Sequence, residues 1–292
     1  MKLLLIDGSN LAYRTLFTAK GLSYHDQPVG MLYGFLRSFL ALKRRYPLHR
    51  CVIVWDYHSK RRQEESQAAV EKGIVPKVYK ATRRADADEA TKVLLLEFKA
   101  QIGPLRDGLK HTSATQISVE DYEADDVIAS IVCNGEYEQA MIVTSDHDYY
   151  ALLRENVIIE DGIRDVQHTL ETFKAKYGIE PTQWVELGAL MGDAGDCIYG
   201  VPGVGEVRAL AYIKKYHTAM EAVAAIAEQA TLSATDRKVL EHVDRVVLAH
   251  SLKQMDSHLQ VPIPEPQYDT RKLWLFFDAW GFESLKGATK EF

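Results

Sequence analysis

Carboxylates in this sequence fall where a parallel sheet would deliver them to one edge. Four apolar runs, at 3–6, 51–55, 140–144 and 156–160, read as strands buried on both faces. The first is followed at once by Asp7 and the second by Asp56. The third leads into Asp146, with Asp148 two residues on. A fourth group, Glu123, Asp125 and Asp126, opens a helical pattern over 122–133 behind a short strand at 116–119. A fifth, Asp193 and Asp196, lies where a helix gives way to a Gly-rich turn. Side chains just past the carboxyl ends of parallel strands converge on the crevice where open α/β sheets bind ligands.

Any one of these residues alone is explained by a turn or a helix N-cap. Five groups on one edge ask for more. Carboxylates within ~4–6 Å of one another repel, and in apolar surroundings some would stay protonated. Hard divalent cations remove that conflict, which points to Mg²⁺, with Mn²⁺ able to substitute. Few histidines and no thiolate cluster argue against zinc. The set divides into Asp7, Asp56, Glu123, Asp125 and Asp126 around one ion, and Asp146, Asp148, Asp193 and Asp196 around another. Two ions ~3.5–4 Å apart stabilise the attacking and leaving oxygens of a phosphodiester displacement. No Ser-His-Asp or Cys-His constellation competes. His58 and His147 near the site are expected to be exposed bystanders.

The elements that must hold these residues alternate. Helical patterns at 10–20, 28–46 and 122–133 separate the strands, so an open, mostly parallel α/β sheet is expected over 1–165. Residues 60–101 are charged and rich in helix formers, with Gly73 and Pro76 as breaks, and read as a helical insertion. From Thr169 onward the chain reads as all helix, giving a helical portion over 166–292. Its aromatic stripe of Trp274, Phe276, Phe277 and Trp280 is expected to pack in the core. Gly200-Val-Pro202-Gly203-Val-Gly205 joins helical patterns at 183–191 and 207–216, the form of a helix-hairpin-helix. Gly203 and Gly205 would let backbone amides approach a phosphate. Arg208, Lys214 and Lys215 would contact a duplex backbone. Arg14, in the first helix, reaches either a phosphate or a core carboxylate.

The chain has 292 residues, 35 Lys or Arg against 41 Asp or Glu, and 47% hydrophobic content. Such composition excludes a mainly disordered chain, a collagen-like fibre and a disulfide scaffold. Cys51, Cys133 and Cys197 form no CxxC pair, and no run approaches the ~20 apolar residues of a membrane span. A cytoplasmic protein without membrane contact is expected, acting as a monomer. The net charge of −6 hides a basic segment: residues 37–84 hold 13 Lys or Arg against 4 Asp or Glu, a local +9.

At these residues the chain resembles the phage and bacterial 5′ nuclease family, which includes flap endonucleases and the 5′→3′ exonuclease domain of bacterial DNA polymerase I. The matches run in order through Asp7-Gly8-Ser9-Asn10, Val54-Trp55-Asp56 and Tyr79-Lys80-Ala-Thr-Arg83. Glu123-Ala-Asp125-Asp126, Thr144-Ser145-Asp146-His-Asp148, Met191-Gly192-Asp193-Ala-Gly-Asp196 and the glycines of 200–205 follow. The resemblance implies a PIN-like 5′ nuclease fold and a structure-selective nuclease of DNA replication and repair. It would cut DNA at 5′ ends and at flap junctions between single strand and duplex. It also implies that residues 60–84 form a helical arch over the active site. Lys80 and Arg83 would face the scissile phosphate, with Tyr79 and Arg84 on DNA beside them. A K⁺ ion held by hairpin carbonyls is a further implication. Two departures stand out: Cys197 replaces the family's Asn, and Val207 replaces a basic residue. With no polymerase domain following, a free-standing nuclease of the phage type is expected. A phosphatase or topoisomerase-primase-type enzyme would use only some of these carboxylates. A non-catalytic nucleic-acid-binding module would usually have lost some of them, whereas all are present here.

Overall fold

The computed structural model describes residues 1–18, 21–81, 89–161 and 166–292. Arg83 and Arg84 lie outside them. Strand β1 (Lys2–Asp7) is the spine. It pairs in parallel with β4 (His49–Val54) on one side and with β6 (Gln139–Val143) on the other. A small hairpin, β2 (Ser23–Tyr24) and β3 (Gln27–Pro28), lies apart from the sheet. Beyond β4 lies β5 (Thr115–Ile117); beyond β6 lie β7 (Val157–Asp161) and the antiparallel edge strand β8 (Val166–His168). The order β5-β4-β1-β6-β7-β8 reverses direction at β1 and β6, so the ligand crevice of such a sheet falls between their carboxyl ends.

Both faces of the sheet are covered, which is why its strands lack hydrophobic alternation. Leu3 and Leu5 point into one core and Leu4 and Ile6 into the other. The second core holds helices α1 (Gly8–Thr18), α2 (Gly30–Arg45) and part of α4 (Glu89–Leu109). Helix α3 (Lys60–Glu71) follows β4, as the insertion reading required, but α4 runs past residue 101 to Leu109. The first core holds α5 (Ala124–Asn134) and helices of the C-terminal region.

Those helices are α6 (Leu170–Tyr177), α7 (Trp184–Met191), α8 (Glu206–Tyr216), α9 (Ala219–Ala227), α10 (Ala234–Glu241) and α11 (Val243–Lys253). Helix α12 (Thr270–Ala279) and the short α13 (Glu283–Lys286) return to the second core. Two expectations need correction. The sheet continues through β8, past residue 165, because Ile159 to Asp161 offer a free edge to 166–168. The stretch after Thr169 is not all helix, since β9 (Gly192–Asp193) and β10 (Ile198–Tyr199) form a tight hairpin. In the aromatic stripe Phe277 is buried, whereas Trp274 stands at the surface with the Lys286 ammonium 4.8 Å from its ring centroid.

Candidate metal centre and nucleic-acid interface

The sheet register places the first carboxylates. Asp7 pairs with Val54 at the end of β4, two residues before Asp56, and lies one step beyond the Ile6–Val143 pairing, so Asp146 follows beside it. Asp7 is buried and accepts from the Asn10 N–H at 3.0 Å, with the Thr144 and Tyr149 hydroxyls each at 3.3 Å. Asp56 accepts from the Ala124 N–H at 2.9 Å, which fastens the start of α5 to the end of β4. Burial, and next the charge of Asp56, hold the Asp7 carboxyl well above the ordinary carboxylate range. Desolvation among the crowded groups, and next the charge of Asp148, push Asp146 up to about 7, although its side chain still meets solvent. Asp125 adds to the shifts of Asp7, Asp146 and Asp148 alike, so the two carboxylate groups share one electrostatic field.

Two cations that the sequence reading missed organise the edge. Ser59 caps α3, and Arg62 in its first turn is only 1% exposed. Its guanidinium donates to Glu123 at 2.9 Å, to Asp125 at 3.1 and 3.2 Å and to Asp126 at 2.8 and 3.1 Å. Burial opposes a buried guanidinium's charge, but Asp125 and Asp126 outweigh it and hold Arg62 cationic. Three basic residues, Lys60 to Arg62, open α3 against the preference of a helix N-terminus for negative charge. The carboxylates they meet account for that exception. The second missed cation is Lys253 at the end of α11, which reaches Asp148 and Asp193. Neither pairing leaves a local spacing signal, because the partners lie 61 to 64 and 60 to 105 residues away.

Asp126, expected among the ligands, is differently employed. One oxygen accepts from Arg62 and the Asp256 N–H, the other from Arg62 and the Glu123 N–H. Four bonds fill the acceptor capacity of a carboxylate, so Asp126 anchors Arg62 and caps α5. Asp193 and Asp196 stand in the β9–β10 hairpin. Burial raises the pKa of Asp193, but the charge and hydrogen bond of Lys253 outweigh it and bring it below the usual value. Gly192 has φ +73°, and a Cβ there would stand 2.4 Å from the Gly200 nitrogen. Cys197, in the family's Asn position, takes φ +57°, a left-handed conformation that Asn adopts more readily.

Lys80 also has a left-handed backbone, φ +57°, and its ammonium lies 2.7 Å from Glu123. Tyr79 turns inward instead of toward DNA: its ring is buried and its hydroxyl donates to Glu123 at 3.0 Å. Arg14 takes the second of its two alternatives and pairs with Asp161 at 2.6 Å. Among the described residues the basic segment buries only Arg62 of its cations, but several of the others are ion-paired within the chain. Arg44, Arg45, Arg50, Arg61 and Arg62 pair with Glu291, Glu160, Glu265, Asp256 and the Glu123 group. His58 is exposed, and His147 stacks on Tyr150 with ring centroids 4.8 Å apart.

At the hairpin Gly203 has φ +84°, and the Lys238 and Arg208 cations stand 3.7 and 3.9 Å from where a Cβ would be. Lys238, from α10, is a member of this face that the sequence did not single out. Gly205 precedes α8 as its N-cap. Lys215 shares the Arg208 side of α8, while the Lys214 ammonium turns to Gly178 at the end of α6. Between hairpin and sheet edge lies a cavity of about 310 Å³ lined by Asp146, Asp148, Asp193, Trp184, Glu206 and Lys253.

The donor set suits a hard divalent ion. Its oxygens are carboxylates, several of them crowded enough to raise one another's pKa. Among the described residues no three His, Cys, Asp or Glu side chains close around one point. The carboxylates stand along an edge, grouped around shared cations: Glu123, Asp125 and Asp126 on Arg62, Asp148 and Asp193 on Lys253.

Two family models cover almost the whole chain: "5′-3′ exonuclease, N-terminal resolvase-like domain" over residues 2–178, and "5′-3′ exonuclease, C-terminal SAM fold" over 179–273. A thermostable DNA polymerase I of Thermus thermophilus is 29% identical over 97% of the chain. The chain spans about a third, 32%, of that relative's length. A 5′-3′ exonuclease of Buchnera aphidicola from Schizaphis graminum is 30% identical, covering 73% of this chain and 70% of its own. Bacteriophage T5 D15 flap endonuclease, solved with DNA and metal ions, superposes with a TM-score of 0.69 at 21% identity, over 100% of this chain and 97% of that one. From the two models and the Buchnera relative, the chain belongs to the 5′-3′ exonuclease family.

Proposed function

We propose that this chain is a divalent-cation-dependent nuclease that hydrolyses DNA phosphodiesters at 5′ ends and at flap junctions, in replication and repair. The observation that carries the reading is the placing of Lys80 beside Glu123, over an edge that also carries Asp7, Asp56 and Asp125. Divalent ions held by Asp7, Asp56, Glu123 and Asp125, and by Asp146, Asp148, Asp193 and Asp196, would supply Lewis acidity and ease deprotonation of the attacking water. Mg²⁺ fits this oxygen donor set best. The Lys80 ammonium neutralises charge on the scissile phosphoryl oxygens, with Arg83 as its expected partner. Arg208, Lys215 and the amides after Gly203 hold a duplex phosphate without reading bases. A K⁺ ion at the hairpin carbonyls rests on the resemblance alone.

Function divides between an α/β core whose sheet ends with β8 at His168 and the mainly helical chain that follows it. Three free cysteines support a reducing, cytoplasmic setting, and among the described residues no helix is long and apolar enough to cross a membrane. A monomer suffices, since one chain supplies every group named. A 5′-labelled flap substrate incubated with Mg²⁺ or with Ca²⁺ tests the reading. Cleavage near the junction with Mg²⁺ alone is expected. Binding without cleavage in any divalent ion would leave a DNA-binding module, and release of phosphate alone would leave a phosphatase.

A further inference from the structure

Lys253 has no part in the chemistry set out above, yet its ammonium lies inside a carboxylate pair. It donates to both Asp148 oxygens, at 2.8 and 2.9 Å, and to Asp193 at 3.0 Å. Those contacts employ all three of its N–H groups. The residue is buried, and its stem runs along Gly188 of α7, where an added Cβ would stand 3.5 Å from the lysine carbons. A helix C-terminus such as the end of α11 also favours a cation.

The backbone on either side is fixed. The carbonyls of Ser251 and Gln254 accept from Arg61 at 2.9 Å each, and that of Leu252 from Arg62 at 3.0 Å. The Asp256 N–H donates to Asp126 at 2.8 Å. Residues 251–256 therefore join the Glu123 group to the Asp148–Asp193 pair through one short stretch of chain.

We propose that Lys253 is a positioning residue, a built-in cation that holds Asp148 and Asp193 at a set spacing and competes with the second divalent ion for their oxygens. The proposal rests on the reading of that pair as a cation site. Without the ammonium the two carboxylates repel across a cavity. With it, an arriving ion meets a like charge, and this sub-site fills at a higher ion concentration than its carboxylates alone would set.

The test is Mn²⁺ binding, followed by electron paramagnetic resonance, in the wild type, Lys253→Met and Lys253→Arg. The wild type should show a tighter and a weaker class of site. Lys253→Met should tighten the weaker class roughly tenfold or more, the scale of removing a like charge at ~4–6 Å. Lys253→Arg, which keeps the charge, should leave it weak. An unchanged or loosened weaker class in Lys253→Met overturns the proposal. A measurement on the wild type does not depend on how the variants fold: the Lys253 side-chain ammonium resonance should shift during a Mg²⁺ titration as the weaker site fills. A resonance that ignores Mg²⁺ to saturation also overturns it. Absence of any Mn²⁺ binding by the wild type would overturn the cation-site reading itself, and the role of Lys253 with it.

Discussion

The backbone N–H of Lys80 donates to the carbonyl oxygen of Asp196 at 2.8 Å. The residue that reaches Glu123 from the helical insertion is thereby hung from the hairpin that carries the second carboxylate group. A left-handed φ at Lys80 allows both contacts at once, the main chain meeting Asp196 and the ammonium meeting Glu123. The geometry belongs to the main chain, so truncating the side chain should remove charge and leave the scaffold standing.

Lys80→Ala is therefore expected to lower the single-turnover cleavage rate by about 10²–10³, the scale for loss of one preorganised charge-stabilising donor. Affinity for a flap substrate, measured in Ca²⁺, should change only a few-fold. An undiminished rate would remove Lys80 from the catalytic roster.

Arg62→Ala should act mainly on stability. It would leave the fully buried Asp126, with Asp125 and Glu123 beside it, without the guanidinium that now serves all three. Breaking a buried pair from one side costs about 3–5 kcal/mol. Urea unfolding at neutral pH measures this directly. Arg62→Lys should recover only part of the loss, because one ammonium cannot match the planar fork across several carboxylates. Full recovery by lysine would count against a bidentate role.

Gly192→Ala should disrupt the β9–β10 turn. A side chain there would combine a left-handed φ with a 2.4 Å approach to the Gly200 nitrogen and 2.6 Å to the Ile198 carbonyl oxygen. Loss of more than about 2 kcal/mol is expected, the range for strain together with overpacking. A thermal melt with cleavage measured alongside should show both falling. A stable, fully active variant would mean that the turn adjusts freely.

The pH dependence has a definite sign. Asp7 and Asp146 carry pKa values raised above the unfolded carboxylate range, Asp146 to about 7. A group raised in this way adds stability that is complete below its unfolded pKa and is lost as pH rises through the folded one. The metal-free protein should therefore melt at falling temperature between about pH 5 and pH 8, as these carboxylates ionise against one another. Asp146→Asn should flatten the slope, and Mg²⁺ should raise the melting temperature most at the alkaline end. A melting temperature indifferent to pH and to Mg²⁺ over that range would contradict the crowded-carboxylate account.

What the sequence made legible were features written in neighbouring residues. The runs that became β1, β4 and β6, the Asp at or within three residues of the end of each, and the glycines of 200–205 announce themselves within a few positions. Arg62 and Lys253 could not be found that way. Nothing near Arg62 in the chain separates it from Arg61, and only the fold brings it to a carboxylate 61 residues on. The pairing of Arg45 and Arg50 was hidden for a related reason: Glu160 and Glu265, which meet them, come from distant segments. Tyr79 was misjudged because a motif fixes its place in the chain and says nothing of which way its ring turns.

Residues 251–256 have a consequence for how the molecule comes apart. The two family models divide the chain at 178 and 179, as though two modules had been joined. The bonds say otherwise, since Arg61 and Arg62 from the first segment cap α11 of the second, and Lys253 and the Asp256 amide return to Asp148 and Asp126. Severed at that boundary, the first segment would keep most of its carboxylates and lose a share of the groups that offset or anchor them. The two segments should accordingly melt as a single cooperative unit, with amide exchange at the end of α11 as slow as in β1.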